Sequence, residues 1–211
     1  MTTPPVSRET ALTALFGDQV PRLRRYAELL GSVGIERGLV GPREQDRIWD
    51  RHVLNSAAMT PLLPGAGSVI DVGSGAGLPG IPLALARPDL AFVLLEPLLR
   101  RATFLQEVVD DLALANVRVR RDRAEDVVGD ELADAVVSRA VAPLPRLLAW
   151  CLPLTRVGGV VLAMKGDRGE AELAEVEAEL PGLGATAWHL DEAGADLGLE
   201  AVRVVRVLRG R

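Results

Sequence analysis

The sequence predicts an α/β fold: a mostly parallel, doubly wound sheet preceded by a helical N-terminal extension. Three observations predict it. From Ser68 onward, short β-branched or leucine-rich runs alternate with longer stretches of helical period. One such strand runs directly into a glycine-rich turn and then a helix. The residues before Ser68 read instead as a succession of helices. Strand–helix alternation of this kind implies parallel strands covered by helices on both faces.

In the extension, Leu12, Leu15 and Phe16 share one helical face. Asp18 is placed to cap a second helix carrying Val20, Leu23, Ala27 and Leu30, with Pro21 tolerated in its first turn. Gly31, Gly34, Gly38 and Gly41 are expected to break that pattern. A further helix is expected over about 42–63, with Ile48, Val53 and Leu54 inward, ending before Pro64 and Gly65. The strands expected next are 69–72, 91–95, 117–121, 133–138 and 157–164. Between them lie helices over 80–86, 98–114, 143–152 and 170–180, the second bearing an apolar stripe of Phe104, Leu105, Val108, Val109 and Leu112. Val202, Val204 and Val207, with arginines between, alternate like an edge or antiparallel strand. The organisation expected is one domain over 1–211, with an extension at 1–64 and the sheet-bearing core at 65–211.

Composition narrows the class. The chain has 211 residues, 48% hydrophobic and 25% charged, which allows one substantial core. No apolar run reaches the roughly 18 residues of a membrane span, and the start lacks the basic-then-apolar pattern of a signal peptide. Cys151 is the single cysteine, so no internal disulfide forms. A cytoplasmic protein is expected, and nothing demands more than a monomer. His52 and His189 are isolated and Cys151 has no partner, so no metal is expected. The net charge of −5 is neutral on a nucleic-acid partner, because arginines cluster at 22–25, 100–101 and 118–123 while acids gather at 170–179. Lys165 is the only lysine.

The most informative segment is Val69-Ile70-Asp71-Val72-Gly73-Ser74-Gly75-Ala76-Gly77-Leu78-Pro79-Gly80. It supports two readings. Gly75, Gly77 and Gly80 fit the dinucleotide pattern G-x-G-x-x-G, and Gly73, Gly75 and Gly77 after Asp71 fit a methyltransferase pattern. Asp71 tilts the choice: a pyrophosphate gains nothing from a carboxylate beside its turn, whereas S-adenosyl-L-methionine carries a sulfonium and an ammonium that a carboxylate favours. Glu96 closes the second strand, 21 residues past Gly75, and suits the ribose hydroxyls of either ligand. Little chain remains for the substrate domain of a dehydrogenase. The fold class expected is therefore a Rossmann-like class I methyltransferase.

Over 49–166 the sequence resembles the 16S rRNA guanine-N7 methyltransferases, the glucose-inhibited division protein B family. The resemblance rests on Asp50-Arg51-His52-Val53-Leu54-Asn55-Ser56, on Gly73–Pro82 with its Gly-Leu-Pro-Gly-Ile-Pro, and on Leu95-Glu96-Pro97 followed by Arg100-Arg101. Arg123-Ala124-Glu125-Asp126, Val137-Ser138-Arg139-Ala140 and Met164-Lys165-Gly166 complete it. The region 31–43 departs from the family's Lys-Trp-Asn and Asn-Leu-Thr segments.

The resemblance implies transfer of a methyl group to N7 of a guanine in the 530 loop of 16S rRNA, with the 30S subunit or its precursor as partner. N7 has a free lone pair and no proton, so the enzyme positions its reactants and needs no general base. No Asn-Pro-Pro-Tyr-type motif or Pro-Cys loop argues for another target atom. Asp71, Gly73, Gly75, Gly77 and Leu78 are expected around the methionine end of the donor, Glu96 at its ribose, and Ala124 and Glu125 at its adenine. Arg139 is expected to pair with the donor's carboxylate or a target phosphate, and Lys165 to hold a phosphate or orient the base; both are the candidate catalytic positions. Arg100, Arg101 and Arg123, with Lys165, form the expected RNA-facing patch. Each has a plainer reading: a surface acid for Glu125, a structural ion pair for Arg139, solvated cations for the rest. His52, with Asn55 and Ser56, either shapes the pocket or packs helices. His189 and Cys151 read as structural. Two other functions compete: a small-molecule methyltransferase, and a non-catalytic nucleotide-binding regulatory protein.

Overall fold

The computed structural model describes residues 8–139 and 141–210. Helix α1 (Arg8–Phe16) leads through a tight turn at Gly17–Gln19 into α2 (Val20–Leu29). Asp18 caps nothing. The turn joins the helices directly, its backbone closing from the Val20 amide to the Gly17 carbonyl, and Gln19 occupies the cap position without a side-chain bond. Pro21 sits in the first turn of α2 as expected.

Gly31 and Gly34 do not end the helix. It widens into a π-helical segment, Leu30–Gly34. Gly31 instead permits close packing, since a Cβ there would lie 3.2 Å from Ile48 Cδ1. The left-handed residue beyond the run is Gly38, at φ +65°.

The helix expected over 42–63 is broken into a 3₁₀ run (Pro42–Arg47), a π-helical segment (Ile48–Leu54), the short α3 (Asn55–Ala57) and a 3₁₀ turn (Thr60–Leu62). The widening has a visible cause. Arg139 donates to the Arg51 carbonyl at 3.0 Å and to the His52 carbonyl at 3.2 Å, and Ser56 Oγ donates to the His52 carbonyl at 2.6 Å. Side chains that enter the carbonyl ladder in this way displace the ordinary i→i−4 bonds. Ile48, Val53 and Leu54 point inward as expected.

The core then alternates: β1 (Ser68–Val72), α4 (Gly80–Ala86), β2 (Ala91–Leu95), α5 (Leu99–Asp111), β3 (Val117–Arg120), β4 (Ala133–Arg139), α6 (Leu144–Cys151), β5 (Thr155–Lys165), α7 (Gly169–Val176), β6 (Ala185–Ala193) and β7 (Val202–Arg209). They form one seven-stranded sheet in the order β3-β2-β1-β4-β5-β7-β6, with β7 antiparallel to both of its neighbours. The C-terminal run is thus antiparallel but internal. The edge on that side is β6, whose mixed sequence Ala-Thr-Ala-Trp-His-Leu-Asp-Glu-Ala shows no clean alternation and escaped the sequence reading. The helix expected over 170–180 turns to 3₁₀ at Glu177, ahead of Pro181, which has no amide to donate.

Adjacent residues of β1 explain the layering. Val69 faces a core shared by α4, α5 and the N-terminal extension, while Ile70 and Val72 face one shared by α6 and α7. Leu12, Leu23, Tyr26 and Leu30 belong to the first of these cores together with Ile81 and Leu105, so the extension packs against the sheet's own helices.

Candidate active site

The sheet order reverses between β1 and β4, and the carboxyl ends of the strands there carry most of the expected site. Gly73 follows β1, Glu96 follows β2, Ala124 and Glu125 lie beyond β3, and Arg139 ends β4. Two adjoining cavities open between these strand ends.

The smaller, about 380 Å³, is lined mainly by apolar groups: Val72, Leu95, Leu98, Ala124, Val141 and Trp150, with Arg123 and Glu125 at its polar side. Arg146 stacks over the Trp150 ring, 4.8 Å from its centroid, which gives the cavity a flat, cation-backed wall. The larger, about 670 Å³, runs along the glycine loop past Gly75, Leu78, Glu96, Arg101 and Arg139 to Leu39, Glu44 and His52 of the extension. Gly73, Pro97, Leu98 and Val141 line both.

The loop between these cavities is built from glycines for a spatial reason. Gly73 has φ +70°, and a Cβ there would lie 2.7 Å from Val141 Cγ2. Gly77 has φ +98°, and its Cβ would meet Ile81 at 2.6 Å and the Tyr26 hydroxyl at 2.9 Å. Only glycine satisfies both the left-handed backbone and the contact.

Asp71 holds this loop from behind. It is fully buried and lines neither cavity. Its Oδ2 accepts from Ser74 Oγ at 2.6 Å and from the Gly80 amide at 3.0 Å, and its Oδ1 has no hydrogen-bond partner among the described residues. Burial pushes its carboxyl up to about 7 against those two bonds. The electrostatic attraction to a bound sulfonium expected from the sequence is thus replaced by a fastening role. Gly77 likewise stands behind the loop rather than on the cavity wall.

Glu96 is only 2% exposed and organises the same turn, accepting from the Gly75 amide at 3.0 Å and the Leu98 amide at 2.9 Å. Arg101 approaches it at 3.8 Å.

Arg139 is committed to the extension. Besides the Arg51 and His52 carbonyls, it reaches Ser56 Oγ at 3.3 Å and His52 Nδ1 at 3.0 Å. A guanidinium can only donate, so His52 Nδ1 accepts, and the ring proton sits on Nε2. Nε2 then donates to Glu44 Oε2 at 2.9 Å. Burial, with the Arg139 charge, lowers the His52 pKa, which keeps the ring neutral in this chain of contacts. Burial raises the Glu44 carboxyl, but the His52 bond and the Arg51 charge outweigh it and hold the group below its ordinary value.

Lys165 departs most from expectation. Its ammonium is turned inward, 2.8 Å from the Ala142 carbonyl and 2.9 Å from Glu172 Oε2, with a side chain only 6% exposed. The same Glu172 oxygen accepts from the Leu144 amide at 2.9 Å. Lys165 therefore anchors the start of α6 and lines neither cavity, so it presents no charge there to a phosphate or base. Arg100 and Arg101 open α5 and Arg123 precedes Ala124, all at the carboxyl end of the sheet; Arg100 and Arg123 are exposed. Leu98, Val141, Arg146 and Trp150 were missed by the sequence reading. Their one legible signal was the four-residue spacing of Arg146 and Trp150 on a helix.

The residues present fit S-adenosylmethionine. The left-handed glycines let a ligand approach the backbone, the apolar cavity backed by Trp150 suits an adenine ring, and the Glu96 carboxylate suits ribose hydroxyls. Comparison with known proteins agrees. The sequence profile of the family described as rRNA small subunit methyltransferase G matches residues 19–205. The ribosomal RNA small subunit methyltransferase G of Thermobifida fusca is 58% identical over 170 residues, covering 81% of this chain and 72% of that protein. The protein of the same name from Mycolicibacterium paratuberculosis is 53% identical over 201 residues, covering 94% of this chain and 81% of that one. Among solved structures, the S-adenosylmethionine-dependent methyltransferase SibL superposes with a TM-score of 0.60 at 19% identity, covering 96% of this chain and 76% of its own. A ribosomal protein L11 methylase from Lactobacillus delbrueckii subsp. bulgaricus does so at 0.57 and 16% identity, covering 75% and 77%. These two speak for the fold alone. With a profile match across most of its length and relatives above half identity, the chain belongs to the rRNA small subunit methyltransferase G family and is an S-adenosylmethionine-dependent methyltransferase.

Proposed function

We propose that this enzyme methylates N7 of a guanine in the 530 loop of 16S rRNA, acting as a cytoplasmic monomer on the 30S subunit or its precursor. The observation that carries the reading is the state of the groups in the larger cavity. Of its candidate bases, His52 has Nδ1 taken by Arg139, Glu96 accepts two backbone amides, and Glu44 is held below the ordinary carboxylate range, too weak a base to take a proton near neutral pH. A site without a base poised near neutral pH suits a nucleophile that has no proton to lose, which is what guanine N7 offers.

S-adenosylmethionine supplies, when bound, an electrophilic methyl group on a sulfonium sulfur. The protein's own contribution is positioning. Asp71 and Glu96 fix the turn of the glycine loop, and Trp150 with Arg146 walls the adenine end. Arg139 ties the extension over the larger cavity. Arg100, Arg101 and Arg123 supply the positive rim that an RNA phosphate needs on a chain of net charge −5.

The test is methyl transfer from labelled donor to 30S subunits from a strain lacking this activity, with the product mapped by chemical cleavage at 7-methylguanosine. Incorporation at one guanine of the 530 loop is expected. No incorporation there or into protein-free 16S rRNA, with donor binding intact, overturns the reading and favours a small-molecule acceptor.

A further inference from the structure

The larger cavity has two kinds of wall. One is made by the strand-end loops that serve the donor, and the other by the extension, where Leu39, Val40 and Gly41 are apolar or small and Glu44 and His52 are polar. Glu44 uses one oxygen on His52, at 2.9 Å, and among the described residues its other, Oε1, has the exposed Arg51 guanidinium at 3.7 Å, beyond hydrogen-bond distance. The cavity therefore contains a carboxylate held ionised by its neighbours, fixed by a buried-side bond, with one acceptor oxygen left over.

From this we infer that Glu44 reads the target base, accepting from the N1–H and the 2-amino group of guanine. The inference rests on the N7 reading above and supplies its missing selectivity. A base that offers N7 to the donor turns its Watson–Crick edge away from the donor, toward the wall that the glycine loop does not build. On guanine that edge carries two donors side by side, which the two lone pairs of the remaining oxygen can accept. On adenine it carries an unprotonated N1, which a carboxylate repels, and no 2-amino group. No other side chain of the extension that lines the cavity accepts: His52 has both ring nitrogens engaged, and Leu39 and Val40 have apolar side chains. The His52–Arg139 contacts then serve to aim the carboxylate, since they fix the ring that holds Oε2.

The experiment crosses an enzyme change with a substrate change. Glu44→Gln keeps an oxygen for His52 and removes the charge. Inosine, placed by ligation at the target position of 16S rRNA, removes only the 2-amino group. Wild type is expected to lose about tenfold in kcat/KM on inosine, the scale of one good base-edge contact. Glu44→Gln is expected to lose a similar factor on guanosine and to show no further loss on inosine, with donor Kd unchanged. If the two losses multiply, or wild type accepts inosine as well as guanosine, Glu44 does not read the base. Should Glu44→Gln fail to bind donor, Glu44→Asp takes its place, and the wild-type comparison alone still decides against the idea if inosine is accepted. Wild type inactive on every rRNA overturns the N7 reading as well; activity without discrimination overturns this one only.

Discussion

Tyr26 donates its buried hydroxyl to the Ala76 carbonyl at 2.8 Å, across 50 residues of sequence. The bond fastens α2 of the extension to the middle of the glycine loop, so the extension is a structural part of the candidate donor site. Burial raises the Tyr26 pKa well above its ordinary value, with the Asp71 charge adding to it, so the hydroxyl stays a donor. Tyr26→Phe removes the donor and leaves a buried carbonyl unsatisfied. The expected outcome is a loss of about 1–3 kcal/mol in unfolding free energy, together with weaker donor binding by calorimetry. Stability lost with donor affinity untouched would separate the loop from this anchor.

Asp71 predicts an unusual pH dependence. Its carboxyl is raised from 3.8 to about 7 by burial, so between those values the folded state binds a proton that the unfolded state has lost. The stability this represents is complete below the unfolded pKa and fades as pH rises through about 7. Asp71→Asn removes the titration. Relative to that variant, wild type is expected to lose up to a few kcal/mol of unfolding free energy between pH 4 and pH 7.5. Parallel denaturation curves for the two proteins across that range would show that Asp71 does not take up the proton.

His52 gives a second pH signature of opposite origin. Burial and the neighbouring Arg139 lower its pKa from 6.5, so the folded state resists a proton the unfolded state accepts. That contribution to stability is present at neutral pH and is lost as pH falls through the folded value. The chain has two histidines, so NMR titration of the imidazole rings resolves it directly. His52 is expected to titrate below the ordinary histidine range, and Arg139→Gln to move it upward. An unmoved titration would mean that Arg139 is not its partner in solution.

These relationships mark where sequence reading succeeded and where it stopped. The glycine loop was legible because its demands are local: Gly73 and Gly77 need left-handed backbone, and the spacing records it. The strand ends were legible because hydrophobic runs stop where the sheet stops. The direction in which a side chain turns was not. Lys165 stands at a strand end on the ligand side of the sheet, and only the packing of α7 brings Glu172 to it. Arg139 and His52 are 87 residues apart, and no local pattern announces that one enters the helical ladder of the other. Asp71 fits its motif, yet its role is set by the depth at which β1 is buried.

Trp150 and Arg146 predict a selective effect on the donor. The ring and the stacked guanidinium wall the smaller cavity. Trp150→Ala is expected to weaken S-adenosylmethionine and S-adenosylhomocysteine alike by about tenfold or more, since both present the same adenosine and aromatic faces contribute on the order of 1 kcal/mol beyond area. Arg146→Ala is expected to have a smaller effect, because a partly solvated cation–π contact contributes about 0.5–1 kcal/mol. Equal calorimetric affinities for wild type and Trp150→Ala would remove adenine from this cavity.

Lys165 separates a structural cation from an RNA-binding one. Lys165→Met leaves the part-buried Glu172 carboxylate, 18% exposed, without its ammonium, and breaking one side of such a pair costs up to about 3 kcal/mol. The start of α6 loosens with it, because Glu172 also holds the Leu144 amide. The informative variant is the double one, Lys165→Met with Glu172→Gln, where no charge is stranded and the glutamine oxygen still accepts from that amide. Much of the lost stability, and with it methyl transfer, is expected to return. A lysine that grips RNA behaves otherwise: removing Glu172 does nothing to replace a missing phosphate contact, so activity stays low while stability recovers. Methyl transfer restored together with the melting temperature places Lys165 in the scaffold, and activity that stays lost in a stable double variant places it on the RNA.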